Sequence, residues 1–350
     1  MRICVTGCLH GCLHSLYQRI QGKDVDLVLC TGDFQGARDE QDLYSMACAP
    51  SKLKWGDFRQ YYSGERTAPI LTIVVGGNHE ASRYLAELKD GGWLCHNIYF
   101  MGFSGVVKFG SLTIGGVSGT FKNYDYHKGY CERFPLNESD KRSIYHIRQF
   151  EIAKILAYSK PLDIFISHDW PQDITEHGDT TMLLKAKPYL RRDIKEHKLG
   201  CPGLKQVIQS KAPSFAFASH HHFKWSCRVD SRVDFLALSH LERYPDNSIE
   251  IMDIEGSVDG GLQYDTEWLA LLIKSDTMFP HFRESVTFNQ SDFTINQVLI
   301  DSISTKLESL SIEPYGHSSN IRQLLGLEED PWSQHYWGGE DLINELVEIE

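Results

Sequence analysis

Hydrophobic residues in the first 240 positions gather in short runs that alternate with longer stretches of helical spacing. The apolar runs are rich in β-branched residues and are bounded by Gly, Asn, Asp or His. They are Ile3–Thr6, Leu27–Thr31, Ile70–Val75, Leu112–Val117, Asp163–Ser167, Ser214–Ala218 and Phe235–Leu238. The helical stretches include Leu13–Gln21, Ala81–Lys89 and Ile144–Tyr158. Apolar strands separated by helices predict an α/β fold, with sheets layered between helices in an αββα sandwich.

The pattern weakens after about residue 240, where a second region is expected to begin. Asp265 lies before an apolar stretch and can cap a helix, in which Trp268 would be a core residue. Beyond about residue 285 the sequence becomes polar and acidic. We therefore predict a main domain over residues 1–240 and a smaller C-terminal domain over 241–350 that ends in an acidic tail.

Polar clusters directly follow five of the predicted strands. They are Gly7-Cys8-Leu9-His10, Gly32-Asp33, Gly77-Asn78-His79-Glu80, His168-Asp169 and His220-His221-His222. In layered α/β folds, functional sites form at the carboxyl ends of strands. The sequence therefore predicts one site that draws side chains from all five positions.

The residue types at these positions are those of a metal site. In an extended segment, residues two apart point the same way, so Cys8 and His10 can reach one ion, as can His220 and His222. A carboxylate such as Asp33 can bridge two ions about 3.5–4 Å apart. The predicted ligands are Cys8, His10, Asp33, Asn78, His168, His220 and His222.

The Cys-Leu-His unit occurs twice, because Cys12 and His14 repeat the pattern of Cys8 and His10. The first copy directly follows a strand and a glycine. The second copy falls within the next predicted helix. We therefore assign the ligands to the first copy and expect Cys12 and His14 to be ordinary helix residues.

Composition limits the class of protein more than it limits the substrate. A hydrophobic fraction of 41% and a charged fraction of 23% are typical of a soluble globular protein. No run approaches 18 apolar residues, so no membrane association is expected, and nothing indicates an obligate protein partner. The nine cysteines form no Cys-x-x-Cys pair, which fits a reducing compartment.

The net charge of −12 is unevenly distributed. Residues 301–350 hold eleven Asp and Glu against two Lys and Arg. Residues 183–211 hold eight cations, against Asp193 and Glu196: Lys185, Lys187, Arg191, Arg192, Lys195, Lys198, Lys205 and Lys211. This basic run either contacts phosphate or forms a solvated helical face, and the sequence leaves both interpretations open.

The polar clusters resemble the calcineurin-like metallophosphoesterase superfamily, whose pattern is D-x-H, G-D, G-N-H-E/D, a lone His and G-H-x-H. Here Cys8 replaces the first Asp, and Ser219 replaces the Gly before the last pair. The variants resemble the RNA lariat debranching enzymes as far as about residue 270. The segments that carry this closer resemblance are Gly56-Asp57-Phe58, Gly115–Gly119 before Lys122, Tyr145–Arg148 and Tyr264–Leu269.

The resemblance implies a role for each residue. Cys8, His10 and His222 would hold one metal, Asn78, His168 and His220 would hold the other, and Asp33 would bridge them. His79 would be catalytic without being a ligand. The cofactors would be two divalent ions (Fe²⁺, Zn²⁺ or Mn²⁺), and the thiolate of Cys8 favours the softer ions.

The resemblance also implies a substrate. Residues 122–148 would form a loop that recognises branched lariat RNA, with contacts from Tyr124, His127, Lys128 and Arg148. The reaction would be hydrolysis of the 2′,5′-phosphodiester at the branch. A nuclear location is expected because lariats are made there, although the sequence carries no clear targeting signal.

Two alternatives remain at this point. A metallophosphoesterase for another substrate would carry the same ligands, because those residues handle phosphate and not its substituents. A catalytically silent RNA-binding or scaffold protein would have lost ligands, and no ligand is lost in this sequence apart from the exchange of Asp for Cys8.

Overall fold

The computed structural model of the chain describes residues 1–308 and 321–327. The strands are β1 (Arg2–Thr6), β2 (Leu27–Cys30), β3 (Thr72–Val74), β4 (Gly92–Cys95), β5 (Ile98–Phe100), β6 (Ser104–Phe109), β7 (Leu112–Val117), β8 (Ile164–Ser167), β9 (Phe215–Ala218), β10 (Trp225–Val229), β11 (Val233–Ala237), β12 (Ile249–Asp253) and β13 (Leu262–Tyr264).

The helices are α1 (Leu13–Ile20), α2 (Glu40–Tyr44), α3 (Phe58–Tyr62), α4 (Ser82–Glu87), α5 (Asn123–Tyr126), α6 (Asp140–Ser143), α7 (Gln149–Ala157), α8 (Thr180–Ala186), α9 (Arg191–Lys195), α10 (Pro202–Lys211), α11 (Thr266–Asp276), α12 (Gln297–Glu308) and α13 (Ile321–Leu325). Within the described ranges, no helix combines the length and hydropathy that a membrane span requires.

The strands form two mixed sheets. The six-stranded sheet has the order β12-β1-β2-β3-β5-β4, and the seven-stranded sheet has the order β10-β11-β9-β8-β7-β6-β13. Strands β1, β2 and β3 are parallel neighbours in the first sheet, as are β7, β8 and β9 in the second. The carboxyl ends of each parallel set therefore lie along one edge of its sheet.

Alternating side chains of the first sheet fill two different cores. Ile3 and Leu29 face the core that contains Ile114 and Ile166 of the second sheet. Cys4 and Val28 face the opposite way and pack in the core that contains Leu16 of α1. Because the strands are buried on both faces, they are apolar along their length. The predicted αββα layering is confirmed.

All seven predicted strands are present, with ends that differ by up to two residues. The helix expected from Ile144 begins only at Gln149, because residues 144–148 form a turn whose side chains are largely buried. The sequence pattern missed β4, β5, β6, β10, β12 and β13. Four of these, β4, β10, β12 and β13, are edge strands, and β5 is only three residues long, so their sequence patterns are short.

The region after residue 240 completes both sheets. Strand β12 pairs antiparallel with β1, and β13 pairs antiparallel with β6. Both sheets thus continue past the boundary predicted at residue 240. The side chain of Asp265 caps α11 by accepting from the N–H groups of Glu267 and Trp268, as predicted. The acidic tail beyond residue 327 lies outside the described residues.

Candidate metal centre

The two sheets bring the predicted ligands to one place. Cys8 and His10 follow β1, Asp33 follows β2, and Asn78 follows β3. From the second sheet, His168 follows β8, and His220 and His222 follow β9. Each side chain is presented by the short loop that leaves the carboxyl end of a parallel strand. The site therefore spans the seam between the sheets.

Asp33 lies at the centre of this arrangement. Its Oδ2 atom is 3.3 Å from His10 Nε2, and its Oδ1 atom is 3.5 Å from His168 Nε2. The two oxygens thus face two different groups of ligands. The carboxyl group is almost completely buried, and Oδ1 also accepts a hydrogen bond from the His79 N–H at 2.8 Å.

The first ligand group consists of Cys8, His10, Asp33 and His222. One potential ligand atom from each lies within 4.8 Å of the others. The Nε2 atoms of His10 and His222 approach to 3.3 Å. A thiol, two imidazoles and a carboxylate that converge in this way are a suitable donor set for a transition-metal ion.

The electrostatics of this group favour a cation. Burial lowers the pKa of His10 to about 4 and that of His222 to about 3, so both imidazoles are neutral at pH 7 and have lone pairs to offer. Burial and the nearby Asp33 charge raise the pKa of the Cys8 thiol. A thiolate at Cys8 therefore requires a neighbouring cation, which a metal ion would supply.

The second ligand group forms around His168. Its Nδ1–H donates to the Thr31 carbonyl at 2.7 Å, which leaves the Nε2 lone pair facing the site. There Nε2 lies 3.3 Å from Asn78 Oδ1, and the His168 ring centroid is 5.1 Å from that of His220. Hydrogen bonds of this kind fix the tautomer and orientation of a metal-binding histidine.

Backbone strain is concentrated in these loops. Four of the seven predicted ligands have left-handed backbones, with φ of 47° at His10, 51° at Asp33, 61° at His220 and 49° at His222. Residues other than glycine adopt this conformation at a cost and usually where function demands it. The turns aim the side chains inward at the expense of local stability.

Two glycines permit the close approach of the loops. A Cβ atom at Gly77 would lie 2.3 Å from Asp33 Oδ1. At Gly32, where φ is +109°, a Cβ atom would lie 2.4 Å from His168 Nδ1. Any side chain at either position would displace a predicted ligand, so both positions require glycine.

Several residues outside the predicted ligand set hold the ligands in place. The Glu80 carboxylate accepts the N–H groups of Phe34, Gln35 and Gly77, each at 2.8 Å, and so ties together the loops after β2 and β3. Burial, followed by the Asp33 charge, raises the pKa of Glu80 to about 8. In the sequence, the sign of this role was the position of Glu80 at the end of the Gly-Asn-His-Glu cluster.

Side-chain contacts also orient two of the histidines. Gln35 Nε2 lies 3.2 Å from His10 Nδ1, so the other ring nitrogen of His10 faces the site. The Ser219 hydroxyl donates to the Thr31 carbonyl at 2.9 Å and lies 3.1 Å from His168 Nδ1. Ser219 thereby has a defined role where the superfamily pattern has Gly.

Two further histidines border the ligands. The half-buried His79 has its ring centroid 5.2 Å from that of His10. His240, which the sequence analysis did not single out, stacks on His10 with ring centroids 4.3 Å apart. His79 is therefore close enough to a molecule at the centre to act on it, and His240 forms one wall of the site.

The second Cys-Leu-His copy lies outside the ligand groups. His14 is in α1, where its ring contacts Gln18 and Arg66 at 3.0 and 3.2 Å. Cys12 is the residue that precedes this helix. The structure thus places Cys8 and His10 at the centre, and not their repeat.

The 122–148 segment is more ordered than a plain loop, since it contains α5 and α6. The turn that precedes it is joined to the site, because the Gly119 N–H donates to the Gly76 carbonyl at 2.8 Å. Tyr124 is 64% exposed, and His127 is also exposed. Lys128 is partly exposed and pairs with Asp125 at 3.0 Å. These three predicted RNA contacts can be reached from solvent.

Arg148 is a correction to the predicted set of RNA contacts. It is 1% exposed, and its Nη2 donates to Glu132 Oε1 at 2.7 Å. Nearby, His146 Nδ1 lies 2.7 Å from Asp125 Oδ2. Arg148 therefore belongs to a buried polar network beneath the segment. Its position among exposed cations in the sequence gave no sign of this burial.

Removal of single ligands should separate the two groups. We expect Cys8→Ala to lower occupancy of the first ion and His168→Ala that of the second, whereas Asp33→Ala should lower both, because only Asp33 faces both groups. Metal content per chain, measured by elemental mass spectrometry, checks this. His14→Ala is the matched control. An Asp33→Ala protein with wild-type metal content would contradict the assignment.

Sequence comparisons place the chain among known proteins. The calcineurin-like phosphoesterase family model matches residues 1–224. A lariat debranching enzyme of Arabidopsis thaliana is 41% identical over 335 residues, which cover 92% of this chain and 79% of that protein. The human lariat debranching enzyme is 40% identical over 296 residues, covering 79% of this chain and 54% of that protein.

A third relative, the lariat debranching enzyme of Schizosaccharomyces pombe, is 44% identical over 229 residues, which cover 65% of this chain and 50% of that protein. The chain thus spans about half the length of the human and yeast relatives and most of the plant one. Calcineurin-like phosphoesterases use a dinuclear metal site, which agrees with the two ligand groups around Asp33. The chain belongs to the calcineurin-like phosphoesterases and, within them, to the lariat debranching enzymes.

Proposed function

We propose that this chain hydrolyses the 2′,5′-phosphodiester at the branch point of excised lariat RNA and so yields linear RNA for turnover. The observation that carries the proposal is the position of Asp33, whose two oxygens face His10 at 3.3 Å and His168 at 3.5 Å. A carboxylate in this position would help to hold two ions, which would stabilise the charge that develops on a phosphodiester as it is cleaved. The names of the relatives supply the substrate class.

We propose that each of the two ligand groups holds one metal ion. Cys8, His10 and His222 would hold one ion, Asn78, His168 and His220 the other, and Asp33 would contact both. When bound, the ions supply Lewis acidity to the phosphate oxygens and lower the pKa of water. We propose Fe²⁺, Zn²⁺ or Mn²⁺ as these ions, because the sulfur of Cys8 favours softer cations than Mg²⁺.

The protein's own residues orient the substrate and manage the proton. Attack of water on phosphorus forms a new P–O bond and breaks the bond to the ribose 2′-oxygen, which needs a proton as it leaves. His79 is our candidate donor, since its ring borders His10 and is half-exposed while its backbone is held by Asp33. The products are a free 2′-hydroxyl and a 5′-phosphate.

Selection of a branched RNA would come from the 122–148 segment. Tyr124 offers an exposed ring for stacking on an unpaired base, with Lys128 Nζ 5.7 Å from its centroid. The exposed His127 lies beside them in sequence. The Asp125, Glu132, His146 and Arg148 network beneath would keep this surface in position.

We also propose that the chain works in the nucleus, where its RNA substrate is made. Fluorescence microscopy of the tagged chain in its native cell tests this placement. A signal confined to the cytoplasm would overturn it.

Cleavage of two matched RNAs tests the function directly. One carries a 2′,5′ branch and the other has only 3′,5′ linkages, and each is supplied with Mn²⁺, Zn²⁺ or anaerobic Fe²⁺. We expect cleavage only at the branch. Cleavage of both RNAs, or activity restricted to simple phosphate esters, would retain a metallophosphoesterase and reject the branched substrate.

Substitution of His79 tests the proton transfer. His79→Gln should lower kcat on branched RNA by about 10²- to 10⁴-fold, the usual contribution of a general acid. Its metal content should not change, because the side chain is outside both ligand groups. His14→Gln, in α1, is the control and should keep full activity. A His79→Gln enzyme with wild-type kcat would remove His79 from the mechanism.

A further inference from the structure

Two tyrosines and two cations form a surface cluster, here called the Tyr189–Tyr244 patch, which consists of Lys187, Tyr189, Arg243 and Tyr244. Tyr189 is 67% exposed and Tyr244 is 42% exposed. Lys187 Nζ lies 5.9 Å from the Tyr244 ring centroid. Tyr244 is close enough to Tyr189 to raise the pKa of that phenol, in addition to the effect of burial. Exposed apolar surface that is contiguous, unlike single exposed residues, marks interaction sites.

The patch adjoins the metal centre through a short turn. The Leu241 N–H donates to the Cys8 carbonyl at 3.0 Å, and the Tyr244 N–H donates to the His240 carbonyl at 2.9 Å. His240 itself stacks on His10. The turn that begins at the wall of the site therefore carries Arg243 and Tyr244.

Lys187 comes to the same surface from a different element. It follows α8, and its Nζ lies 5.9 Å from the Tyr244 ring centroid. Two segments far apart in sequence, 187–189 and 243–244, thus each bring a tyrosine and a cation to one surface next to the turn that begins at His240.

The structure also divides the basic run of residues 183–211. Arg192 and Lys198 both pair with Glu196, at 2.9 and 2.6 Å. Lys205 pairs with Asp173 at 2.7 Å, and Lys211 donates to backbone carbonyls. These four cations have partners within the protein, which favours the solvated-face interpretation for them.

Lys187 differs from those four. Within residues 1–308 and 321–327, neither Lys187 nor Arg243 forms an ion pair with a carboxylate. Burial and the neighbouring Arg243 charge lower the pKa of Lys187, so the two cations repel one another. An anion placed between them would relieve that repulsion.

We propose that the Tyr189–Tyr244 patch binds an unpaired RNA segment adjoining the branch, with bases stacked on the tyrosines and phosphates held by Lys187 and Arg243. Aromatic rings interleaved with cations are the general means of holding single-stranded RNA. Since the chain carries a net charge of −12, a local cationic surface is needed to attract a polyanion.

The position of the patch suits a branched substrate, and the inference rests on the proposed function. Tyr145 and His146 of the 122–148 segment line the same cavity as Gly76 and Gly77, the residues that precede Asn78. The patch follows His240, whose ring borders those of both His10 and His222. RNA strands that leave a branch at Asp33 in different directions would therefore meet two separate stacking surfaces.

The test compares two branched RNAs, one with single-nucleotide arms and one with arms of about ten nucleotides, which is within single-strand site sizes. In Tyr189→Leu/Tyr244→Leu, the ratio of kcat/KM for long arms to that for short arms should fall about tenfold, as expected for lost base stacking. The double variant Arg192→Gln/Lys198→Gln, which lies outside the patch, is the control and should keep the wild-type ratio.

Binding gives an independent readout. For Lys187→Gln/Arg243→Gln, the dependence of log K on log salt for a linear single-stranded RNA should become shallower by about 1.4, because two phosphate contacts are lost. Fluorescence anisotropy on the full chain measures this slope. The control variant Arg192→Gln/Lys198→Gln should keep the wild-type slope.

The outcomes separate the two proposals. If the wild-type chain cuts the branch, and the patch variants keep both the arm-length ratio and the salt slope, the patch does not bind the RNA and the proposed function stands. If the wild-type chain leaves the branch uncut, the proposed function fails. The salt dependence of RNA binding then tests the patch by itself. Equal slopes of log K against log salt in the patch variant and the control variant would overturn the proposed RNA binding.

Discussion

The arrangement of this molecule depends on one buried carboxylate. Asp33 is 1% exposed and faces histidines from both sheets, with the His79 N–H as a further partner. Burial alone would favour its neutral form, but His168 and His10 outweigh that effect and lower its pKa. A buried charge of this kind is tolerated only when its partners are fixed in place. The two sheets must therefore meet so that β2 and β8 end at the same point.

The residues around the centre satisfy that requirement at a structural cost. Left-handed backbones at His10, Asp33, His220 and His222 turn the ligands inward. Bare glycines at positions 32 and 77 let the loops touch, and Glu80 ties two of those loops together through three N–H groups. Such strain persists only where the surrounding packing holds it. Here the apolar core between the two sheets supplies that rigidity.

In the proposed function, handling of phosphate and recognition of RNA would reside in different parts of the surface. The ligand groups would act on a phosphate whatever its substituents, so they would define the reaction and not the substrate. The exposed rings of Tyr124, Tyr189 and Tyr244 lie outside those groups, and a lysine is near the rings of Tyr124 and Tyr244. Because the chain as a whole is acidic, attraction of RNA would be local to these surfaces.

The sequence by itself determined the strands that carry the site, because apolar β-branched runs and the polar residues that end them are local signals. It therefore placed Cys8, His10, Asp33, Asn78, His168, His220 and His222 correctly at strand ends. Tertiary structure alone decided that β12 and β13 complete the sheets, that Arg148 is buried against Glu132, and that His240 stacks on His10. Some of those contacts join residues that are far apart in the sequence, and others bury a side chain that would by itself prefer solvent. No pattern along the chain encodes which partner a strand or a polar side chain will meet.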